Sequence, residues 1–277
     1  MSTRAAQFQA TVRRREPLSD HLVRLVLGDL DGFTSTGIAD EWVGLVVPGQ
    51  FQSRYYTVRS FRDGELTLDV VVHDVGLVTE WAMRDCIGDT VTITEPKASF
   101  APPPGASWLL LVGDLTAMPA MARIAESRPD LSTYVMAEVP GQEERALTGY
   151  LPAGVDVTWL APPAPGQSAL AEVVAGIDWP EGEGYFWMAG ESAQMRAIRK
   201  HLMREVGLPT SHYDVMGYWR ATAARQPRAV DPGPIWRAGK AAGKTDEQIW
   251  ADYDAAQTDA AQTEAAPTEQ AREASDG

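Results

Sequence analysis

Up to residue 100 the apolar positions alternate with polar ones in short runs broken by turn residues. Phe8, Ala10 and Val12, then Leu22, Val23, Leu25 and Leu27, predict two strands with Pro17 and Asp20 near their turn. Gly28 to Gly32 is a turn cluster, and Trp42 to Val47 is a further strand closed by Pro48-Gly49. Asp63-Gly64 marks a hairpin ahead of the strand Leu66 to His73. Gly76 to Arg84 reads as a short helix, and Gly88-Asp89 turns into the strand Val91 to Thr94. Many short strands with a single helix predict a small antiparallel barrel.

The period changes after the linker Ala101-Pro-Pro-Pro-Gly105. Trp108 to Val112 is continuously apolar, as in a strand buried on both faces. A helix over 116–127 follows, then strands at Thr133–Glu138 and Val155–Leu160 and a helix over 168–175. Gly184 to Gly190 runs into a long helix over 191–206, and Tyr213 to Trp219 is the last strand. Strands alternating with helices imply a parallel α/β sheet. The predicted fold class is therefore two-domain β + α/β, with a barrel over 1–101 and a parallel-sheet α/β domain over 106–220. An appendage over 221–256 has a short helix opened by the capping box Thr245-Asp-Glu-Gln248 and carrying Ile249, Trp250 and Tyr253. The segment 257–277, without large apolar residues, is expected to be disordered.

Charge narrows the functional classes. The net charge is −14, which argues against nucleic acid as a partner. Much of the acid lies beyond Thr245, where nine acidic residues face the single Arg272, so a basic pocket in the body is still allowed. Cys86 is the only cysteine, so an internal disulfide and a cysteine-rich metal site are excluded. The four histidines have no metal-ligand spacing, and no metal is expected. The N-terminus lacks the apolar core of a signal peptide, and no stretch approaches the ~20 apolar residues of a membrane span. A soluble, cytoplasmic protein, monomeric by default and without membrane insertion, is expected.

Five segments carry candidate chemistry. Arg54-Tyr55-Tyr56-Thr57-Val58-Arg59 offers a guanidinium for a pyrophosphate, an aromatic ring for a flat ligand and a hydroxyl for its polar edge. Alone, such a strand is also ordinary barrel surface. His73 to Trp81 is a strand–turn–helix whose Gly76 and Thr79 suit an anion, or equally a plain capped helix. Gly113 to Ala120, Gly190-Glu191-Ser192 and Gly217-Tyr218-Trp219-Arg220 each end a predicted parallel strand, where open α/β sheets bind ligands. None of them is the Gly-x-Gly-x-x-Gly fingerprint. Gly243-Lys244-Thr245 lacks the upstream glycine and strand of a phosphate-binding loop, and no Gly-x-Ser-x-Gly supports a hydrolase.

In their joint order and spacing these segments resemble the siderophore-interacting protein family of ferredoxin-reductase-like flavin reductases, over roughly residues 5–220. The resemblance implies an FAD-binding barrel, an NAD(P)H-binding α/β domain and reduction of a ferric siderophore, the substrate partner, in the cytoplasm. It implies that Arg54, Tyr56 and Thr57 contact FAD, with Tyr56 on the isoalloxazine. It further implies that Val72, His73, Gly76, Thr79 and Trp81 belong to the pyrophosphate side of the cofactor site. Asp114, Thr116, Ala117 and Glu191 would line the nicotinamide cleft, and Trp219 would cover the flavin or close that cleft. Two positions depart from the family pattern. Leu115 replaces an acidic residue, and Gly44 replaces a lysine thought to help hold anionic siderophores, which leaves Arg59 and Arg220 as candidate substrate contacts. No catalytic acid, base or nucleophile is implied. A general NAD(P)H:flavin oxidoreductase with another acceptor, or a non-enzymatic siderophore-binding flavoprotein, stay as alternatives.

Overall fold

The computed structural model describes residues 6–50, 52–73 and 76–221, together with 242, 244 and 248. The chain divides after Ala221 into two units, and the account below concerns the first. The expected helix at Ile249, Trp250 and Tyr253 and the expected tail over 257–277 lie outside the described residues.

Six strands close a barrel: β1 (Gln7–Pro17), β2 (Leu22–Gly28), β3 (Trp42–Val46), β4 (Arg54–Arg62), β5 (Glu65–Val71) and β6 (Thr90–Thr94). Their order is β1-β2-β5-β4-β3-β6, and every pair is antiparallel. Alternation does the sorting. Val43, Leu45, Leu66, Leu68, Val91 and Ile93 fill the interior, while their neighbours face out. Helix α1 (Leu77–Met83) lays Trp81 and Ala82 onto that core, and the Trp81 Nε1 donates to Asp89 Oδ2 at 2.8 Å. The expected barrel is thus present, with one helix.

The second sheet is wholly parallel, in the order β11-β10-β7-β8-β9. Its strands are β7 (Trp108–Asp114), β8 (Ser132–Glu138), β9 (Asp156–Leu160), β10 (Gly184–Glu191) and β11 (Tyr213–Trp219). Every residue of β7 and β10 is buried, which explains their unbroken apolar runs. Helices α2 (Met118–Ser127), α3 (Gly141–Leu147), α4 (Leu170–Ala175) and α5 (Ser192–His201) connect the strands. Two details differ from the sequence reading. Helix α3 was not anticipated, because Gly141-Gln-Glu-Glu-Arg lacks an apolar stripe. The long helix predicted to 206 is α-helical only to His201 and ends in a π turn, Leu202–Val206, capped by left-handed Gly207.

Strand order positions the site. The chain starts the sheet at β7, builds outward to β8 and β9, then returns to the other side of β7 with β10 and β11. Direction reverses between β7 and β10, and the carboxyl ends of these two strands flank the crevice where such sheets take ligands. Barrel and sheet share a core, since Leu22 and Ala39 from the barrel side cluster with Leu109, Leu111, Met121 and Trp187. Polar contacts lock the same seam. Arg123 Nη1 of α2 donates to the Val58 carbonyl of β4 at 2.6 Å, and His21 Nδ1 meets Glu143 Oε1 at 2.7 Å. The Tyr150 hydroxyl donates to Asp69, which also receives both arms of Arg24 at 2.8 Å.

Candidate functional site

The start of β4 and the end of β5 meet at one end of the barrel, because the two strands pair antiparallel. That brings Arg54, Tyr56 and Thr57 to the same end as Val72, His73 and Gly76. Arg54 is exposed and makes no hydrogen bond or ion pair among the described residues. Tyr56 is half-buried against the barrel core. Desolvation pushes its phenol up to about 12, with Arg54 opposing, so the ring stays neutral. Thr57 points to the other side of the strand. It is buried, and its Oγ1 has no hydrogen-bond partner. Its side chain faces the parallel sheet, beside the hydroxyl of Tyr218 on β11.

Gly76 precedes α1 with φ of 145°, a conformation only glycine adopts without strain. No side chain caps this helix, Thr79 is buried in its first turn, and His73 is exposed. Val72 and Trp81 are core residues of the barrel, 3% and 2% exposed.

At the crevice between β7 and β10 the structure joins Asp114, Thr116 and Trp219. Asp114 accepts from the Thr116 amide at 2.9 Å and from its hydroxyl through Oδ1, and from Trp219 Nε1 at 2.6 Å through Oδ2. Burial pushes the Asp114 carboxyl above the usual carboxylate range, against these donors. Its register partner at the end of β8 is Glu138, buried and likewise raised, by burial first, with the charge of Asp114 adding to it. Glu191 ends β10 and caps α5. Its Oε2 accepts from the amides of Ala193 and Gln194, and its Oε1 from the Ala221 amide at 3.2 Å. The Glu191 carboxylate is therefore engaged by backbone. Ala117, the N-cap residue of α2, is fully buried, and its Cβ fills the space in front of Gly113. Of the four residues expected along this cleft, Thr116 is the one with partial exposure.

The two expected substrate arginines have different settings. Arg220 is exposed just past β11. Arg59 is committed to the barrel–sheet seam, donating to Glu126 of α2 at 2.8 and 2.5 Å, with its guanidinium 5.4 Å from the Tyr150 ring centroid. Gly44 is also closed. It is buried opposite Tyr55, and a Cβ there would meet the Ser53 Cβ and the Thr94 Cγ2 at 2.9 Å. The sequence places Tyr218 in a candidate segment but gives its hydroxyl no role, and it gives none to Glu138, because both depend on register and burial that no local motif announces.

A flavin dinucleotide fits the barrel end on grounds internal to this chain. Among the described residues, β4 carries an exposed guanidinium without an ion-pair partner at Arg54, a half-buried neutral phenol ring at Tyr56 and an orphaned buried hydroxyl at Thr57. Among the described residues no cluster of potential metal ligands occurs, and no helix is long and apolar enough to cross a membrane.

Comparison with known proteins bears on the same segments. Residues 49–100 match the siderophore-interacting FAD-binding domain, and residues 106–222 match the siderophore-interacting protein domain. The chain is 28% identical over 244 residues to the NADPH-dependent ferric-chelate reductase of Escherichia coli, covering 77% of this chain and 92% of that one. It is 30% identical over 174 residues to the ferric vibriobactin reductase ViuB of Vibrio cholerae, covering 60% of this chain and 64% of that one. The solved structure of a siderophore utilization protein from T. fusca superposes with a TM-score of 0.65 at 28% identity, covering 79% of this chain and 94% of that one.

Proposed function

This chain belongs to the siderophore-interacting proteins, flavin-dependent oxidoreductases with FAD as cofactor, and from that premise we propose that it reduces the iron of ferric siderophores with electrons from NAD(P)H. The observation that carries the reading is the buried Thr57 hydroxyl of β4, which has no partner among the described residues and faces the parallel sheet whose switch point lies between β7 and β10. When bound, a flavin would supply the conversion between the two electrons of one hydride from a nicotinamide and the single electrons that Fe(III) accepts.

The residues hold and orient. The Arg54 guanidinium neutralises the diphosphate, and the Tyr56 ring, neutral up to about pH 12, gives a flat uncharged face for the isoalloxazine. Thr57 supplies a hydroxyl to the polar edge of that ring. His73, Gly76 and Thr79 border the diphosphate, with Gly76 allowing close backbone approach. Thr116 lines the nicotinamide side of the crevice, while Asp114 and Glu191 shape it by fixing Trp219 and the start of α5. Trp219 covers the crevice from the end of β11. Arg220 is the cation open to an anionic chelate.

No side chain is needed as acid, base or nucleophile, because only electrons cross to the iron. Ferrous iron fits hard oxygen ligands less well than ferric iron, so reduction loosens the chelate. A second reading, a general NAD(P)H:flavin oxidoreductase, is favoured by two observations. Arg59 is spent on Glu126, and Gly44 leaves no room for a lysine.

Anaerobic titration of the purified yellow protein with NADH and with NADPH, in the presence of a ferric siderophore and a ferrous trap, tests both. Bleaching of the flavin followed by trapped Fe(II) is the expected result. Bleaching that ferric siderophores do not reverse favours the second reading. A protein that takes up no FAD overturns the flavin assignment, and one that is yellow but never bleached by either nucleotide either has another electron donor or is a siderophore-binding flavoprotein without this activity.

A further inference from the structure

Unpartnered buried polar atoms concentrate where the edge strand β11 faces the barrel. Among the described residues, Thr57 Oγ1, Trp187 Nε1, Asp214 Oδ2 and the Tyr218 hydroxyl all lack a hydrogen-bond partner. Trp187 of β10 is the register partner of Asp214 of β11, so their side chains leave the same face of the sheet. Tyr218 lies four residues beyond Asp214 and repeats that face. Its ring meets the Trp187 ring at 6.4 Å, nearly edge-on. Its hydroxyl lies beside Thr57 Oγ1, outside hydrogen-bond geometry. The two hydroxyls come from different sheets and are brought together by packing alone.

A dry site rarely keeps two adjacent hydroxyls unpaired, since each has lost water without gaining a partner. A small approach would join them, and acidity decides the direction. A phenol is a stronger donor than an aliphatic hydroxyl, so Tyr218 donates and Thr57 accepts. Burial first, with the neighbouring charges of Asp40, Asp214 and Asp114, holds the Tyr218 phenol above its ordinary range, outweighing the Thr57 hydroxyl, which lowers it, so the donor proton stays in place. Thr57 then has its own proton left over, with no protein acceptor to take it.

We propose that Tyr218 is a positioning residue for Thr57: its phenol donates to Thr57 Oγ1 and so turns the threonine proton toward an acceptor atom on the polar edge of the flavin ring. The proposal rests on the flavin reading above, and it makes the parallel sheet responsible for one contact to a cofactor held by the barrel.

The test uses FAD isotopically labelled at ring atoms N5 and C4, bound to wild-type protein and to Tyr218→Phe, Thr57→Ala and the double variant. Loss of one hydrogen bond is expected to weaken FAD binding by about three- to tenfold in Tyr218→Phe. The ring resonances are expected to move in the same direction as in Thr57→Ala, and the double variant is expected to bind no more weakly than Thr57→Ala. Wild-type resonances and affinity in Tyr218→Phe would overturn the proposal, as would a loss that adds in full to that of Thr57→Ala. If Tyr218→Phe does not fold, an exchange-protected Tyr218 hydroxyl proton is sought in the wild-type holoprotein. Its loss in Thr57→Val supports the pairing, and its persistence refutes it. Wild-type protein that binds no FAD would overturn the flavin reading itself, an outcome read before any variant is made.

Discussion

The Trp219 indole donates to Asp114 across an intervening strand, joining the end of β11 to the end of β7 at 2.6 Å. Gly190 of β10 makes the reach possible, since a Cβ at that position would lie 2.8 Å from Asp114 Oδ2. The bond lowers the Asp114 pKa while burial raises it, and burial wins. Trp219→Phe keeps the ring and deletes the donor. The variant is expected to lose about 1–3 kcal/mol of stability and to raise the Asp114 pKa further, read by urea unfolding and by carboxyl NMR titration. The sign for Asp114 follows from its raised value. Its contribution to stability is fully present below the ordinary carboxylate pKa and is lost as pH rises through the folded one. Asp114 titrating at the same pH in wild type and variant would show that the indole does not act on it.

Gly190→Ala is expected to break the same bond from the other side. The added methyl must displace either the Asp114 carboxylate or the strand, at a cost of about 1–3 kcal/mol. Because Asp114 also orders Thr116, weaker nicotinamide nucleotide binding is expected alongside. A variant as stable as wild type, with unchanged nucleotide affinity, would mean that the strand ends relax freely.

Arg59 was expected at the substrate, and its geometry instead points to the seam between the sheets. Its side chain is 14% exposed and is held by Glu126. Arg59→Glu would set two carboxylates against each other and is expected to cost about 1.5–3 kcal/mol. The charge-swapped pair Arg59→Glu with Glu126→Arg separates the roles. Recovery of both stability and chelate-dependent turnover assigns Arg59 to structure. Recovered stability with turnover still lost would return it to the substrate.

Much of the fold was legible because both sheets announce themselves by period. The barrel strands alternate, as in Leu66–Val70, whereas β7 and β10 are apolar throughout, and those patterns follow directly from burial on one face or on two. The Arg54–Thr57 run was legible for the same reason, since alternation alone places Arg54 and Tyr56 opposite Thr57. The crevice was legible only in outline. Nothing local to Ala117 says that its Cβ closes the space in front of Gly113, or to Glu191 that its carboxylate caps a helix, because both depend on three-dimensional neighbours. Gly44 shows the limit most clearly. Alignment to a family pattern marks a missing lysine, while the position itself is sealed by Ser53 and Thr94.

That sealing has a consequence at Gly44. Gly44→Lys is expected to destabilise the barrel by about 1–3 kcal/mol, because Ser53 just before β4 and Thr94 at the end of β6 must give way. It is also expected to leave the affinity for ferric siderophores no higher than in wild type. Tighter binding at undiminished stability would show that the outer face opens more readily than its packing implies.

The last expectation concerns alkaline pH. Tyr56 is pushed up to about 12, and Tyr150, Tyr185 and Tyr218 are raised too, each by burial first. Tyr150 adds a specific penalty, since its hydroxyl donates to Asp69 and its phenolate would face that carboxylate. A raised phenol contributes stability that is fully present below its ordinary pKa of about 10 and is lost as pH climbs through the folded value. Urea unfolding is therefore expected to show no contribution from these phenols to the pH dependence below about pH 10 and a steep fall above it. Tyr150→Phe should start lower by about 0.5–1.5 kcal/mol, for the lost hydrogen bond, and then fall less steeply. A decline of equal slope in wild type and Tyr150→Phe would acquit this phenol and leave the others to account for the alkaline loss.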